Sequence, residues 1–147
     1  MQPLSRRYSL FRAFAIRCHL KVLPTNVYGK LLMIPLESWT GWKCNYEPYM
    51  ADSIKRNLSS NGVFVDIGAH RGIWSAYAAR HMGNHCKILA YEPSPAFNAL
   101  EKQAKIYPII NVSRKGVGAH SGALTFYPQG DATSGSFVRA VTEINQW

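Results

Sequence analysis

Cysteine is scarce in this chain: Cys18, Cys44 and Cys86 are widely spaced and form no CxxC pair. An odd, scattered set gives neither a disulfide framework nor a zinc-ribbon spacing, and it suits a reducing, cytoplasmic compartment. The five histidines contain no HExxH or related ligand spacing, so no metal site is expected. Long apolar runs are also missing. The most apolar N-terminal stretch, residues 10–23, is interrupted by Arg12, Arg17 and Lys21, far short of the ~20 apolar residues that a membrane span needs. It has no small-residue cleavage site after an apolar segment, as a secretory leader would. Acid is absent from the first 36 residues, which hold Arg6, Arg7, Arg12, Arg17, Lys21 and Lys30; the first acid is Glu37. An acid-free, arginine-bearing start shares a trait with organellar transit peptides. An amphipathic helix resting on the domain or on a membrane surface is the stronger reading, beside a plain solvated basic face.

What is present describes a globular chain. Hydrophobic residues make up 47% and charged residues 17% of 147, which allows one domain with a single core and argues against wholesale disorder. The net charge of +9 belongs mainly to the N-terminal segment, since all eight acids follow residue 36. Two parts are expected: a basic N-terminal extension over residues 1–45, and a domain over residues 46–147. The extension reads as partly helical, broken by Pro24 and Pro35. Trp39, Trp42, Tyr46 and Tyr49 lie close together in sequence, ahead of a helix expected over residues 48–58 and closed by Ser59-Ser60-Asn61-Gly62.

From Val63 the pattern is regular. Val63-Phe64-Val65-Asp66-Ile67 is a short β-branched run ending beside an acid, as in a buried parallel strand. A glycine turn follows, then a helix over residues 73–81, ended by Gly83. Lys87-Ile88-Leu89-Ala90-Tyr91 reads as a second strand, closed by Glu92-Pro93. Ser94-Pro95 is expected to cap a helix that Pro108 stops, and Ile109-Ile110-Asn111-Val112 is a third strand. The β-α-β-α-β order implies a parallel sheet with right-handed crossovers, an α/β Rossmann-like fold. Beyond it, Val117-Gly118 and residues 123–127 flank His120-Ser121-Gly122 as an expected hairpin, and residues 137–147 could begin another helix or strand.

The chemistry concentrates in Asp66-x-Gly68-x-x-x-Gly72, set between a strand and a helix. Gly68 lets the backbone turn sharply and approach a ligand where a Cβ would clash. The helix that follows offers N–H groups and the positive end of its dipole to an anionic group. A dinucleotide fingerprint would read GxGxxG, and this spacing lacks its pyrophosphate turn. Taken alone, DxGxxxG serves a purely structural turn equally well. Glu92 adds to it: 26 residues after Asp66, at the end of the next strand, a carboxylate stands beside the first loop and can accept both hydroxyls of a ribose.

Residues 63–72 (VFVDIGAHRG), 90–95 (AYEPSP), Asn111-Val112 and 122–128 (GALTFYP) together resemble the N-terminal half of FkbM-type methyltransferases, with the likeness running from about Tyr46 to Ser136. The resemblance implies a class I methyltransferase fold that uses S-adenosylmethionine, often to O-methylate hydroxyls of sugars or polyketides. Carried over position by position, Asp66, Gly68, Ala69 and Gly72 would form the cofactor loop and Glu92 the ribose clamp. Tyr46-Glu47-Pro48 resembles an upstream segment of the family, which would turn Glu47 toward the cofactor; a surface acid at a helix start is the other reading. His70 stands where the family often has Asn, which leaves a backbone role for this position intact and a side-chain role in doubt.

The family's later K-x-D-x-E-G-like strand has no counterpart before Trp147. The domain is therefore expected to be a partial one, truncated after the third parallel strand and a hairpin, with Val63–Ile67 exposing an unpaired edge and turnover weak or absent. No catalytic base is assigned; His120, Asp131 and Ser134 are loop residues that could reach a substrate. The expected partners are a small hydroxylated acceptor and, through the basic N-terminus, a membrane surface, with no nucleic acid, because no recognition motif accompanies the basic residues. The competing readings are a nucleotide-dependent oxidoreductase on the same frame and a non-enzymatic basic interaction protein.

Overall fold

The computed structural model describes residues 6–40, 43–44, 47–123, 125–129 and 134–136. The chain opens with α1 (Arg6–Arg17), followed by strands β1 (Val22–Val27) and β2 (Lys30–Pro35), a short 3-10 turn (Leu36–Ser38) and β3 (Lys43–Cys44). Next come α2 (Pro48–Asn57), β4 (Val63–Ile67), α3 (Ile73–Met82), β5 (Lys87–Tyr91), α4 (Phe97–Ile106) and β6 (Ile110–Ser113). The last described elements are β7 (Tyr127–Gln129) and β8 (Ser134–Ser136), paired antiparallel.

The parallel sheet runs β4-β5-β6. Its register places Asp66 opposite Ala90 and Ile67 opposite Tyr91, and then Ala90 opposite Val112. Alternation sets two faces. Asp66, Ile88, Ala90 and Ile110 are buried on the side where α3 and α4 pack, while Val63, Val65 and Ile67 are exposed on the other. Among the described residues β4 pairs only with β5, so its outer N–H and C=O groups form a sheet edge.

The N-terminal residues, expected to be partly helical, carry one helix and then strands that the sequence did not suggest. Among the described residues of this part, α1 is the one α-helix; Val22–Val27 and Lys30–Pro35 form an antiparallel hairpin around a two-residue turn at Tyr28-Gly29, where both φ values are positive. Pro24 does not break this strand. Opposite it, Met33 directs its backbone away from β1: its N–H donates to the Tyr107 hydroxyl at 2.8 Å and its C=O accepts from Gln103 Nε2 at 2.9 Å. The pair at Pro24 is thus one that exchanges no ladder bonds, where a missing N–H costs nothing. The Pro24 carbonyl, for its part, accepts from Trp39 Nε1 at 3.0 Å.

Packing runs across the division at residue 45. Leu23, Val27, Leu32 and Ile34 of the hairpin share one core with Ala76, Tyr77, Ile88 and Leu100. Tyr8 and Phe11, three apart on α1, lay their rings on Trp39 with centroids 6.0 and 5.6 Å away.

Two other expectations shift. The helix after β5 begins at Phe97 rather than at Ser94-Pro95, because Ser94 spends its side chain on a tight turn, accepting from the Ala96 N–H at 3.1 Å. The hairpin expected around His120–Gly122 is absent among the described residues. The antiparallel pair is Tyr127–Gln129 with Ser134–Ser136 instead. Gly118 and Gly122 disfavour strand formation in that stretch, since glycine loses the most backbone entropy on ordering and has no side chain to pack. The further segment at 137–147 lies outside the described residues.

Candidate functional site

The strand ends carry the site. β4 delivers Asp66 as its last helix-facing residue; Gly68 then turns the chain at φ +76° and Gly72 at φ +79° starts α3. The turn is tied to the neighbouring strand, since the N–H groups of Gly68 and Ala69 both donate to the Tyr91 carbonyl, at 2.9 and 3.0 Å. A Cβ built on Gly68 meets no atom within 4 Å, so the space over this residue is open. A Cβ on Gly72 would lie 2.7 Å from Leu100 Cδ1. The two glycines answer different demands, the first a turn beside open space and the second the seating of α3 against α4.

Asp66 is buried, and its carboxylate accepts the Ser75 hydroxyl at 2.5 Å. It also accepts the Ser75 backbone N–H, one of the donors that a helix start leaves without an intrahelical partner. Burial pushes the Asp66 carboxyl above the ordinary aspartate range, against the pull of both Ser75 hydrogen bonds, and the nearby charge of Glu92 adds to the rise. The folded protein therefore holds a proton on Asp66 where the unfolded chain, with a pKa near ~3.9, has lost it. The stability this group contributes is complete below about pH 4 and is lost as pH rises through the folded pKa. Asp66→Asn cannot titrate. Denaturant midpoints of the two proteins compared from acid to neutral pH should show the native chain losing ground to the variant as pH rises; a gap that closes instead would mean the Ser75 bonds outweigh burial.

Glu92, just past the end of β5, is likewise buried, and both of its oxygens are engaged. Oε2 accepts the His70 N–H at 2.7 Å and Oε1 the Ser94 N–H at 2.8 Å. One carboxylate thus braces the glycine turn, where His70 sits at φ +54°, to the loop that leaves β5. Asp66, Gly68, Ala69, Gly72 and Glu92, singled out in the sequence, all gather at this one end of the sheet. The N–H groups of Gly68, Ala69, His70 and Gly72 have acceptors within the protein. Those of Ile73 and Trp74, at the start of α3, have no backbone acceptor among the described residues.

Ser75 escaped the sequence reading, and Ser94 was read there only as a helix cap. Their only signal is position, Ser75 in the first turn of the helix after the glycine loop and Ser94 two residues past Glu92. Glu47, ahead of α2 at φ +51°, accepts the Trp74 indole N–H at 3.0 Å, so it is held beside the start of α3. Tyr46 and Asp131 lie outside the described residues. His120 does not join Glu92. It lines a separate groove of about 970 Å³ on the open face of the sheet with Val65, Leu89, Tyr91 and Arg114; neither Asp66 nor Glu92 lines that groove.

No curated protein and no solved structure matches the chain. A family does: the one described as the methyltransferase FkbM domain matches residues 66–146, more than half of the chain, beginning at the Asp66 that opens the glycine turn. With a parallel α/β sheet beneath that turn and Glu92 braced against it, the chain belongs to the FkbM methyltransferase domain family.

Proposed function

We propose that this chain binds S-adenosylmethionine at the ends of β4 and β5 and serves methyl transfer to a hydroxyl of a small acceptor such as a sugar. The observation that carries this reading is the buried Glu92 carboxylate, held beside an open glycine turn by two backbone N–H groups. Each of its oxygens keeps a lone pair, and a ribose presents two adjacent hydroxyl donors to such a group. Asp66, a second carboxylate close enough to feel the charge of Glu92, suits the methionine ammonium through water. The turn over residues 68–72 supplies shape rather than donors, since most of its N–H groups are spent internally, and the methionine carboxylate falls to the start of α3.

When bound, the cofactor supplies a methyl group on positively charged sulfur, and the two acidic side chains favour that cation. No residue is assigned as base, so the acceptor relies on orientation. Binding is therefore the primary readout. An exposed thiol at Cys18 fits work in the reducing cytoplasm. Calorimetric titration of the whole chain should show saturable one-to-one binding of S-adenosylhomocysteine and none of NAD. Binding of NAD in preference, or of neither compound, would overturn the assignment.

A further inference from the structure

We infer that α1 docks on an anionic lipid surface, Leu10 and Phe14 entering the apolar boundary while Arg17 and Lys21 meet the headgroups. The inner stripe of this helix is spent on the domain: Ala15 is fully buried, and Tyr8 and Phe11 pack on Trp39. The outward side carries Leu10, Phe14 and Arg17 in one i, i+4, i+7 row. Leu10 and Phe14, one helical turn apart, are 65% and 59% exposed; Ile16 lies on the other flank of the helix and Leu20 follows it. Isolated exposed apolar residues are ordinary on protein surfaces, but a leucine and a phenylalanine in one row, both more than half exposed and followed by Arg17, form an apolar and basic edge.

Charge selects the partner. Arg17 and Lys21 are exposed at the same end of α1, and no acid occurs before Glu37, whose charge is met by Lys102. The helix and its exit therefore carry positive charge and no acid of their own. Nucleic acid would use the cations but gives Leu10 and Phe14 nothing to bury against. A bilayer boundary uses both, because acyl chains admit a convex row of side chains without a matching groove and anionic headgroups concentrate near cations. The helix is 12 residues long, about 18 Å at 1.5 Å per residue, and no helix among the described residues is long and apolar enough to cross a membrane. It lies in the plane of the surface. This inference is independent of the proposed methyl transfer.

Co-sedimentation of the whole chain with phosphatidylcholine vesicles, with and without phosphatidylserine, tests it. The chain should pellet with the phosphatidylserine vesicles and weakly or not at all with neutral ones. The pair Leu10→Ser and Phe14→Ser should weaken binding at least about tenfold, and Arg17→Gln and Lys21→Gln roughly fivefold each. All four positions are exposed, so the melting midpoint should stay where it is in every variant. No binding to anionic vesicles, or binding that ignores the apolar pair, would overturn the inference. So would capture of duplex RNA or DNA in place of lipid, with the apolar substitutions inert.

Discussion

Glu92→Ala is expected to weaken S-adenosylhomocysteine binding by about 10- to 150-fold, the span of roughly 1.5–3 kcal/mol for hydrogen bonds to a charged group. The same change should lower folding stability by about 2–4 kcal/mol, because two backbone donors lose their acceptor at about 1–3 kcal/mol each and water recovers part of the loss. The donors are the His70 and Ser94 N–H groups, one in the glycine turn and the other in the loop after β5, and they meet on one buried carboxylate. Removing it frees the turn from the neighbouring strand end and also relieves Asp66 of a like charge, so the Asp66 carboxyl should titrate lower in the variant. Glu92→Gln keeps one oxygen acceptor and should fall between the native chain and the alanine variant. Denaturant unfolding reads the brace, and calorimetry reads the ligand. A stability loss with unchanged affinity would leave Glu92 as a structural brace alone and move the ribose elsewhere.

The second large effect should come from Gly72→Ala, a loss of about 2–5 kcal/mol. Two costs combine: a left-handed backbone at a residue with a Cβ, about 1–2 kcal/mol, and overpacking of a filled core, about 1–3 kcal/mol. The new methyl would stand 2.7 Å from Leu100 Cδ1 and 3.3 Å from Gln103 Cγ, both on buried side chains. For a chain of this size each kcal/mol moves the melting midpoint by about 2–4 °C, so a fall of roughly 4–20 °C is expected. Gly68→Ala is the internal comparison. Its φ is nearly the same, +76° against +79°, but nothing lies within 4 Å of the added atom. It should cost only the backbone share, about 1–2 kcal/mol, while impairing ligand binding by filling the space over the turn. Equal losses in the two variants would show that the approach of α3 to α4 does not set the need for glycine at residue 72.

Much of the C-terminal two-thirds was legible in advance. Val63–Ile67 and Lys87–Tyr91 fall where short apolar runs end at a glycine turn or at Glu92-Pro93, and Ile110–Ser113 lies one residue beyond its expected bounds. The N-terminal hairpin was not legible. Pro24 and Asn26 in one strand and Leu31-Leu32-Met33 in the other give no alternating pattern. The hairpin holds because α4 satisfies the backbone of Met33 and the core closes over Leu23, Val27, Leu32 and Ile34. Ser94-Pro95 misled in a smaller way, since a capping signature also describes the tight turn that precedes the helix here.

The division is a physical one. The sequence by itself determined the order of the parallel strands and the end of the sheet at which Asp66, Gly68 and Glu92 meet. Side-chain period, glycine turns and right-handed crossover are consequences of neighbouring residues and chain chirality. Only the tertiary structure decided that Glu92 braces the glycine turn, that Ser75 holds Asp66 and that Gly72 must be bare because Leu100 approaches it. It also decided that α1 turns one apolar stripe into the core and leaves Leu10 and Phe14 outside. Most of these depend on contacts between separate elements, whose distances are set by packing and carry no local signature.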